Sequence, residues 1–463
     1  MSADGNQTNN AHTMEIEYPL TKDQRTIFDI IENNDGNYLV HGKPGVGKTV
    51  LTQALKEYGV KNWIICAPTG LAAQLAGGKT LHSQFGIPVS NGIFTLDFNK
   101  FTQNENVINN VLHTVKHLII DEVSMVRADM LDYVERMLRH VKQNDKPFGG
   151  VQVVLVGDFF QLPPIAQDVD MKQLKAEGYR SEFAFDAQCF ATFSPLVLTE
   201  VLRQKGDAKF IELLHAARTG SMSPAQIKLL NKRVEPCTDM RIKLAAKNRQ
   251  AEAINLKSLA DIHSTECEYH ATAFGKWPQY PAETILRLKV GAQVIIKKNG
   301  ADIPPGTKRN ISDSEIVNGS LGIVEEMHLG TATMPRRVVV VKLRNGKTAT
   351  IYSQRWEQKE KLKIGSEWTE RVVASFEQIP LQLAWAISMH KSQGQSFEFV
   401  HVNPSSVFAD GQLYVALSRA RSMSGLSLQH PVSAHHFMVN ERVLEFVQHI
   451  ERKDVKSKKR IAA

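Results

Sequence analysis

Residues Gly42-Lys43-Pro44-Gly45-Val46-Gly47-Lys48-Thr49 fit the pattern GxxxxGK[ST], and no other stretch constrains the fold of this chain so tightly. A short apolar run, Tyr38–His41, precedes them, and a helical pattern, Thr49–Tyr58, follows. That strand–turn–helix context marks a phosphate-binding loop. The glycines let the backbone curl so that its N–H groups face phosphate oxygens, and the helix N-terminus adds the positive end of its dipole. Gly42, Gly45, Val46, Gly47, Lys48 and Thr49 are therefore the expected nucleotide-binding residues. Lys48 is expected to reach the outer phosphates of ATP, and Thr49 to hold Mg²⁺ through its hydroxyl.

A loop of this kind belongs on a parallel α/β sheet. Trp63–Ala67, His117–Ile120 and Val151–Val156 read as further strands, spaced by helical text. Their carboxyl ends deliver polar residues, Asp121 and Gly157-Asp158 among them, where ligands bind in such sheets. A second α/β signal starts near Leu198 and includes Ile242–Ala245, Phe399–Val402 and Leu426–Leu428. Between Phe85 and Val115 the pattern breaks into polar text, which reads as an insertion. From Arg287 to Ala374 alternating segments (Ala292–Ile296, Leu321–Glu325, Arg337–Leu343, Thr348–Tyr352) separated by Asn-Gly-type turns indicate antiparallel β. The expected division is a flexible tail over 1–16, a first motor-like domain over 17–200 with the insertion at 85–115, a second over 201–286 and 377–440, a β insertion over 287–376, and a basic C-terminal tail over 441–463.

Composition adds exclusions. The 463 residues carry 56 Lys and Arg against 48 Asp and Glu, a formal charge of +8 that suits a polyanionic partner without requiring one. Cys66, Cys189, Cys237 and Cys267 form no CxxC pair, so neither a zinc ribbon nor a thioredoxin motif is indicated. The polar start, Met1–Ala11, lacks the apolar core of a signal peptide, and no apolar run reaches transmembrane length. A soluble, cytoplasmic protein without membrane contact is expected, with nucleus or mitochondrion left open.

The chemistry concentrates at strand ends. Asp121 closes a buried strand and suits a Mg²⁺ ligand, while Glu122 beside it suits the base that orients and deprotonates an attacking water. Gln161, in Gly157-Asp158-Phe159-Phe160-Gln161-Leu162-Pro163-Pro164, is placed to sense the γ-phosphate or that water. Arg203 and Arg419 are candidates to answer charge on the transferred phosphoryl group. A P-loop kinase or metabolic ATPase would leave these two arginines and the second α/β unit without a task. A scaffold with a dead site sits badly with an intact Lys48, Thr49, Asp121 and Glu122.

In this order, these blocks resemble a superfamily 1 helicase, most closely the Pif-type (petite integration frequency) DNA helicase family. The specific stretches are Gly157–Pro164, Leu198–Gln204, Leu381–Gln395 and Gly411–Arg421, supported by Ala67–Gly70, Gly78–Ser83 and Val317–Gly319. The resemblance spans Leu20 to Leu428 and implies two RecA-like motor domains with ATP between them. It makes the 85–115 insertion a strand-separating wedge and the β insertion a small Src-homology-like barrel. Gln24 matches the glutamine that reads the adenine edge, and Gly394 falls in a nucleotide-facing segment. Pro68, Thr69, His82, Phe160, Asn248, His390 and Lys391 fall in segments resembling those that line the DNA strand. The family moves 5′ to 3′ on single-stranded DNA and engages forked duplex, and many members unwind G-quadruplexes; a monomer is expected. A RecD-like or phage-type translocase, or a DNA-stimulated ATPase without processive unwinding, stays open. Two departures touch the strand path: Phe183–Cys189 is followed by Phe190 where the family usually has tryptophan, and Ala246-Lys247-Asn248 stands where Thr-Asn is commoner.

Overall fold

Six parallel strands build the first sheet in the order β3–β2–β4–β5–β1–β6. They are β1 Asn37–Gly42, β2 Trp63–Ala67, β3 Lys79–Thr80, β4 His117–Ile120, β5 Gln152–Gly157 and β6 Phe193–Leu198. The computed structural model describes residues 20–87, 94, 105–202, 206–238, 240–277, 280–307, 316, 318–330, 337–364 and 367–461. β5 is buried at every position, as a strand covered on both faces must be. Its alternate residues face different layers. Val154 and Val156 pack with Val40 under Ile27, Ile31, Leu51 and Leu55, from the helices Lys22–Asn33 and Lys48–Tyr58. Val153 and Leu155 face Leu131, Val134 and Leu138 of the helix Ala128–Lys142.

The second motor-like sheet is also parallel, with four strands in the order β18–β7–β19–β20. These are β7 Ile242–Ala245, β18 Ala386–Ser388, β19 Val400–Val402 and β20 Leu426–Leu428. Chain between β7 and β18 forms the antiparallel insertion. Its main sheet runs β14–β13–β12–β11–β17, through Thr348–Tyr352, Val338–Leu343, Leu321–His328, Gln293–Ile296 and Leu381–Leu383. The ladder among described residues runs from β14 to β17 without closing on itself. A bulge between Val324 and Glu326 bends β12. A long hairpin, β15 Gln354–Ile364 with β16 Glu367–Gln378, pairs with β9 Thr272–Phe274, so the insertion recruits chain from before residue 287.

One strand was missed, one expectation needs correction and two fall outside view. β6, inside the 17–200 span expected for the first motor but not read as a strand, pairs with β1 and forms the edge of the first sheet. The expected basic tail is a helix, Glu441–Ile461, whose Val443, Val447 and Ile450 are buried. Phe446 stacks on Phe185 at 4.2 Å between ring centroids, with Phe159 and Phe190 also against it. Phe190, which replaces the family tryptophan, thus anchors the terminal helix. The tail 1–16 and most of the expected wedge lie outside the described residues; within the latter, Glu105–Thr114 is a helix. Among the described residues no helix is long and apolar enough to cross a membrane.

Candidate nucleotide-hydrolysis and strand-binding site

The loop between β1 and the helix Lys48–Tyr58 has the backbone its sequence demands. Gly45 and Gly47 take φ of 83° and 77°, in the left-handed region. At φ 77° any side chain on Gly47 would be strained, and its Cβ would stand 2.2 Å from the amide nitrogen of Gln24. Its Nε2 donates to Val46 O and Gly47 O, both at 3.1 Å, and its Oε1 accepts from Thr21 N at 2.9 Å. Gln24 is buried, and in this conformation its amide holds the phosphate loop; the edge expected to read adenine is engaged by protein.

Lys48 Nζ donates to Gly42 O at 2.7 Å and Lys43 O at 3.1 Å. Burial lowers its pKa, while Asp158, Glu122 and Asp121 counteract that by favouring the charged form. Thr49 is exposed at the start of the helix. Across from it, Asp121 follows β4 and accepts from Glu122 N at 2.8 Å. Burial, reinforced by the charge of Glu122, pushes the Asp121 carboxyl up to about 7. Two acidic groups crowded this way fit a divalent cation. Mg²⁺ needs only one or two protein oxygens when phosphates and waters complete its shell, and Asp121 with Thr49 supplies that number. Glu122 itself sits at φ 51°, a left-handed conformation rare for a residue with a side chain. Strain of this type gathers at functional sites.

The second motor closes over these groups. Gln393 Nε2 donates to Glu122 Oε2 at 3.2 Å and lies 3.5 Å from Gln161 Oε1. Gly394, at φ 74°, approaches so closely that a Cβ there would be 3.7 Å from Glu122 Oε1. Glu122, Gln161, Gln393 and Gly394 therefore meet at one point between the two sheets. Gln393 was missed by the sequence reading. The only signal was its place in the segment Leu381–Gln395, one residue before Gly394 and two after Lys391.

The arginines fare differently. Arg203 lies outside the described residues. Arg419 is 1% exposed, and its guanidinium serves its own domain. Nε donates to Val415 O, Nη1 to Ser392 O and Gln395 O, and Nη2 to Ser418 Oγ, at 2.8–3.2 Å. In this conformation it supports the loop that carries Gln393 and Gly394 and does not reach into the cleft.

The residues expected on the strand path divide into two rims and one misfit. On the first motor, Thr69 Oγ1 accepts from Ala72 N at 3.2 Å and caps the short helix after Pro68. His82 is half-buried with its ring 5.8 Å from that of Phe94, and burial lowers its pKa. On the second motor, Ser388 Oγ donates to Asn248 Oδ1 at 2.5 Å and accepts from Lys391 N at 3.3 Å. This one hydroxyl ties Asn248 to the start of the segment that carries His390 and Lys391, with Asn248 and Lys391 exposed. Phe160 is the misfit: it is buried, with the Arg218 guanidinium 4.2 Å above its ring, and cannot meet a strand from there.

Comparison with known proteins points to one family. A family model described as PIF1-like helicase matches residues 19–227, and one described as UvrD-like helicase C-terminal domain matches residues 383–426. The ATP-dependent DNA helicase PIF1 of Danio rerio is 32% identical over 421 residues, which cover 88% of this chain and 60% of that protein. The chain thus spans about 60% of that relative's length. The crystal structure of Bacteroides sp Pif1 in complex with ADP-AlF4 matches with a TM-score of 0.81 at 34% identity, covering 94% of this chain and 98% of that one. Bacteroides Pif1 bound to ssDNA, also at 34% identity and covering 94% and 97%, gives 0.66. With 34% identity across 98% of a solved relative and a matching family model over residues 19–227, the chain belongs to the PIF1-like helicase family.

Proposed function

We propose that this chain is an ATP-hydrolysing DNA motor that travels 5′ to 3′ along single-stranded DNA and unwinds duplex ahead of it. The observation that carries the reading is the cross-cleft contact, in which Gln393 of the second motor holds Glu122 and faces Gln161 of the first. A hydrolysis site assembled from two sheets senses how those sheets sit. A change at the nucleotide then moves one domain against the other, which a kinase or a single-domain ATPase does not need.

In this reading Lys48 exchanges the carbonyls of Gly42 and Lys43 for the outer phosphates. Thr49 and Asp121 hold Mg²⁺, which neutralises phosphate charge when bound. Glu122 takes the proton of the attacking water, and Gln161 orients it. Arg203 and Arg419 answer the charge of the transition state; for Arg419 that requires rearrangement, and its standing task is to place the Ser392–Gln395 loop. Gln24, released from the phosphate loop, reads adenine. The rims of Pro68, Thr69 and His82 on one motor and Asn248, His390 and Lys391 on the other grip the strand. Such backbone contacts carry no sequence preference. The names of relatives, ATP-dependent DNA helicase PIF1 and a Bacteroides Pif1 bound to ssDNA, support the substrate class. The proposal extends to the expected 85–115 wedge, to a barrel-like role for the β insertion, to G-quadruplex DNA and to a monomer as working unit.

The test is unwinding of a forked duplex with ATP, comparing a 5′ with a 3′ single-stranded tail. Unwinding from the 5′ tail alone is expected. Unwinding from the 3′ tail alone would remove the polarity, and ATP-dependent movement without strand separation would favour a translocase.

A further inference from the structure

Outside the hydrolysis set, the most heavily bonded buried charge facing the cleft is Asp158. It follows β5 directly and is 0% exposed. Its Oδ1 accepts from Arg218 Nη2 at 3.0 Å and from Phe160 N at 3.2 Å; Arg218 Nε lies 3.2 Å and 3.3 Å from the two oxygens. Its Oδ2 accepts from Tyr414 Oη at 3.0 Å. On the remaining side, His41 Nε2 of β1 stands 3.5 Å from Oδ1. Burial alone would raise this carboxyl, yet Arg218, with His41 and Lys48, holds it well below the usual carboxylate range. Asp158 is therefore a buried anion whose main counter-charge comes from chain beyond the first sheet.

Arg218 ends the helix Ala208–Arg218, and Tyr414 sits in the helix Gln412–Leu417. Both helices follow β6 in the chain and face the first motor across the cleft. They hold more than Asp158. The Arg218 guanidinium covers the Phe160 ring at 4.2 Å. Gly411, at the head of the Tyr414 helix, lies so near that a Cβ would be 2.3 Å from Phe160 O and 3.0 Å from Gln161 O. Gln161 N donates back to Asp158 O at 2.9 Å, which closes the turn. The turn Asp158–Gln161 is thus fixed by an ion pair, a phenol hydrogen bond, a ring contact and a backbone contact, all from the opposite side.

We propose that Arg218 and Tyr414 are positioning residues for hydrolysis: they hold the Asp158–Gln161 turn from across the cleft, so that Gln161 is in place only while the two motors are docked. This rests on the reading of Gln161 as a hydrolysis residue. A buried charge pair suits the task because half of it cannot be withdrawn without leaving an uncompensated charge, which makes docking all-or-none. The hydrogen bonds of both side chains go to Asp158, so binding of ATP should be left intact while turnover depends on them.

The experiment is a double-mutant cycle on DNA-stimulated ATP hydrolysis, with Tyr414→Phe and Gln161→Ala singly and together, and Arg218→Lys as a second probe. Tyr414→Phe removes one hydrogen bond to a charged acceptor and keeps the ring, so kcat should fall about threefold to tenfold with KM for ATP unchanged within about twofold. In the Gln161→Ala background the same change should cost nothing further, because its only route to the chemistry is gone. Arg218→Lys keeps the charge but loses the fork, and its loss of kcat should likewise vanish in that background. Additive losses, or a rise in KM matching the fall in kcat, would overturn the positioning role and leave the hydrolysis reading standing. A Gln161→Ala enzyme that turns over at the full rate would overturn both.

Discussion

Asp121 and Glu122 illustrate what a sequence can and cannot say about a residue. An acidic pair at a strand end after a phosphate loop is enough to propose their chemistry. Their electrostatic state was not legible, because it depends on burial and on the left-handed turn at Glu122, at φ 51°. The Asp121 carboxyl is raised from 3.8 to about 7, by burial first and by Glu122 second. A carboxyl with a higher pKa folded than unfolded keeps its proton in the fold after the unfolded chain has released it. Its contribution to stability therefore falls as pH rises from about 4 to about 7 and stays low above that. Asp121→Asn removes this cost. The nucleotide-free variant should be more stable than the parent at pH 8 by roughly 1–3 kcal/mol, with the gap closing toward pH 4, and should not hydrolyse ATP. Thermal denaturation of both proteins at pH 4, 6 and 8 checks this; a gap that ignores pH would mean Asp121 is ionised in the fold.

At the scale of elements, strands deep in the parallel sheets were the most legible. β2, β4, β7 and β20 span the residues their apolar runs indicate, Trp63–Ala67, His117–Ile120, Ile242–Ala245 and Leu426–Leu428. β6 was obscured by Pro195, which lies opposite Leu39 of β1 and is tolerated because β6 is an edge strand. The terminal helix was obscured by charge: the run from Arg452 to Arg460 draws attention away from Val443, Val447 and Ile450, whose spacing of four and three is a helical stripe. That helix lies along β6, and Asp454 Oδ1 accepts from Val197 N at 3.0 Å. A side chain thereby occupies an amide that an exposed edge would otherwise offer to another strand. Asp454→Ala should cost about 1–2 kcal/mol in urea unfolding, since it removes a hydrogen bond between a buried carboxylate and the β6 backbone. Removing residues 441–463 should cost several kcal/mol, because at least three buried apolar side chains lose their cover, each worth about 1.5–3 kcal/mol. A truncated chain with unchanged stability would restore the reading of this segment as a solvated tail.

For the whole molecule, the decisive property is that one cleft joins the phosphate loop to the rim proposed to hold single-stranded DNA. The nucleotide loop and Glu122 lie at the strand ends of the first sheet, and Gln393 reaches them from the loop that begins with His390 and Lys391 on the strand rim. Asn248 is joined to that loop through Ser388, so a strand held at the proposed rim would be linked through Ser388 and Gln393 to Glu122, the proposed general base. The sequence carried the parts but not this adjacency, which arises only when residues 122 and 393 meet in three dimensions. Binding at two coupled sites is reciprocal: whatever factor single-stranded DNA contributes to nucleotide affinity, nucleotide must contribute to DNA affinity. Affinity for a single-stranded oligonucleotide, measured by anisotropy with and without a non-hydrolysable ATP analogue, should therefore change by the same factor as analogue affinity with and without DNA, about 5–150-fold if coupling is of ordinary strength. Removing the Gln393 amide, as in Gln393→Ala, should shrink both factors together while leaving the salt dependence of DNA binding, about −0.7 in log–log slope per phosphate contacted, unchanged. A variant that keeps full coupling would place the connection elsewhere in the cleft, and one that changes the salt slope would mean Gln393 acts on the strand itself.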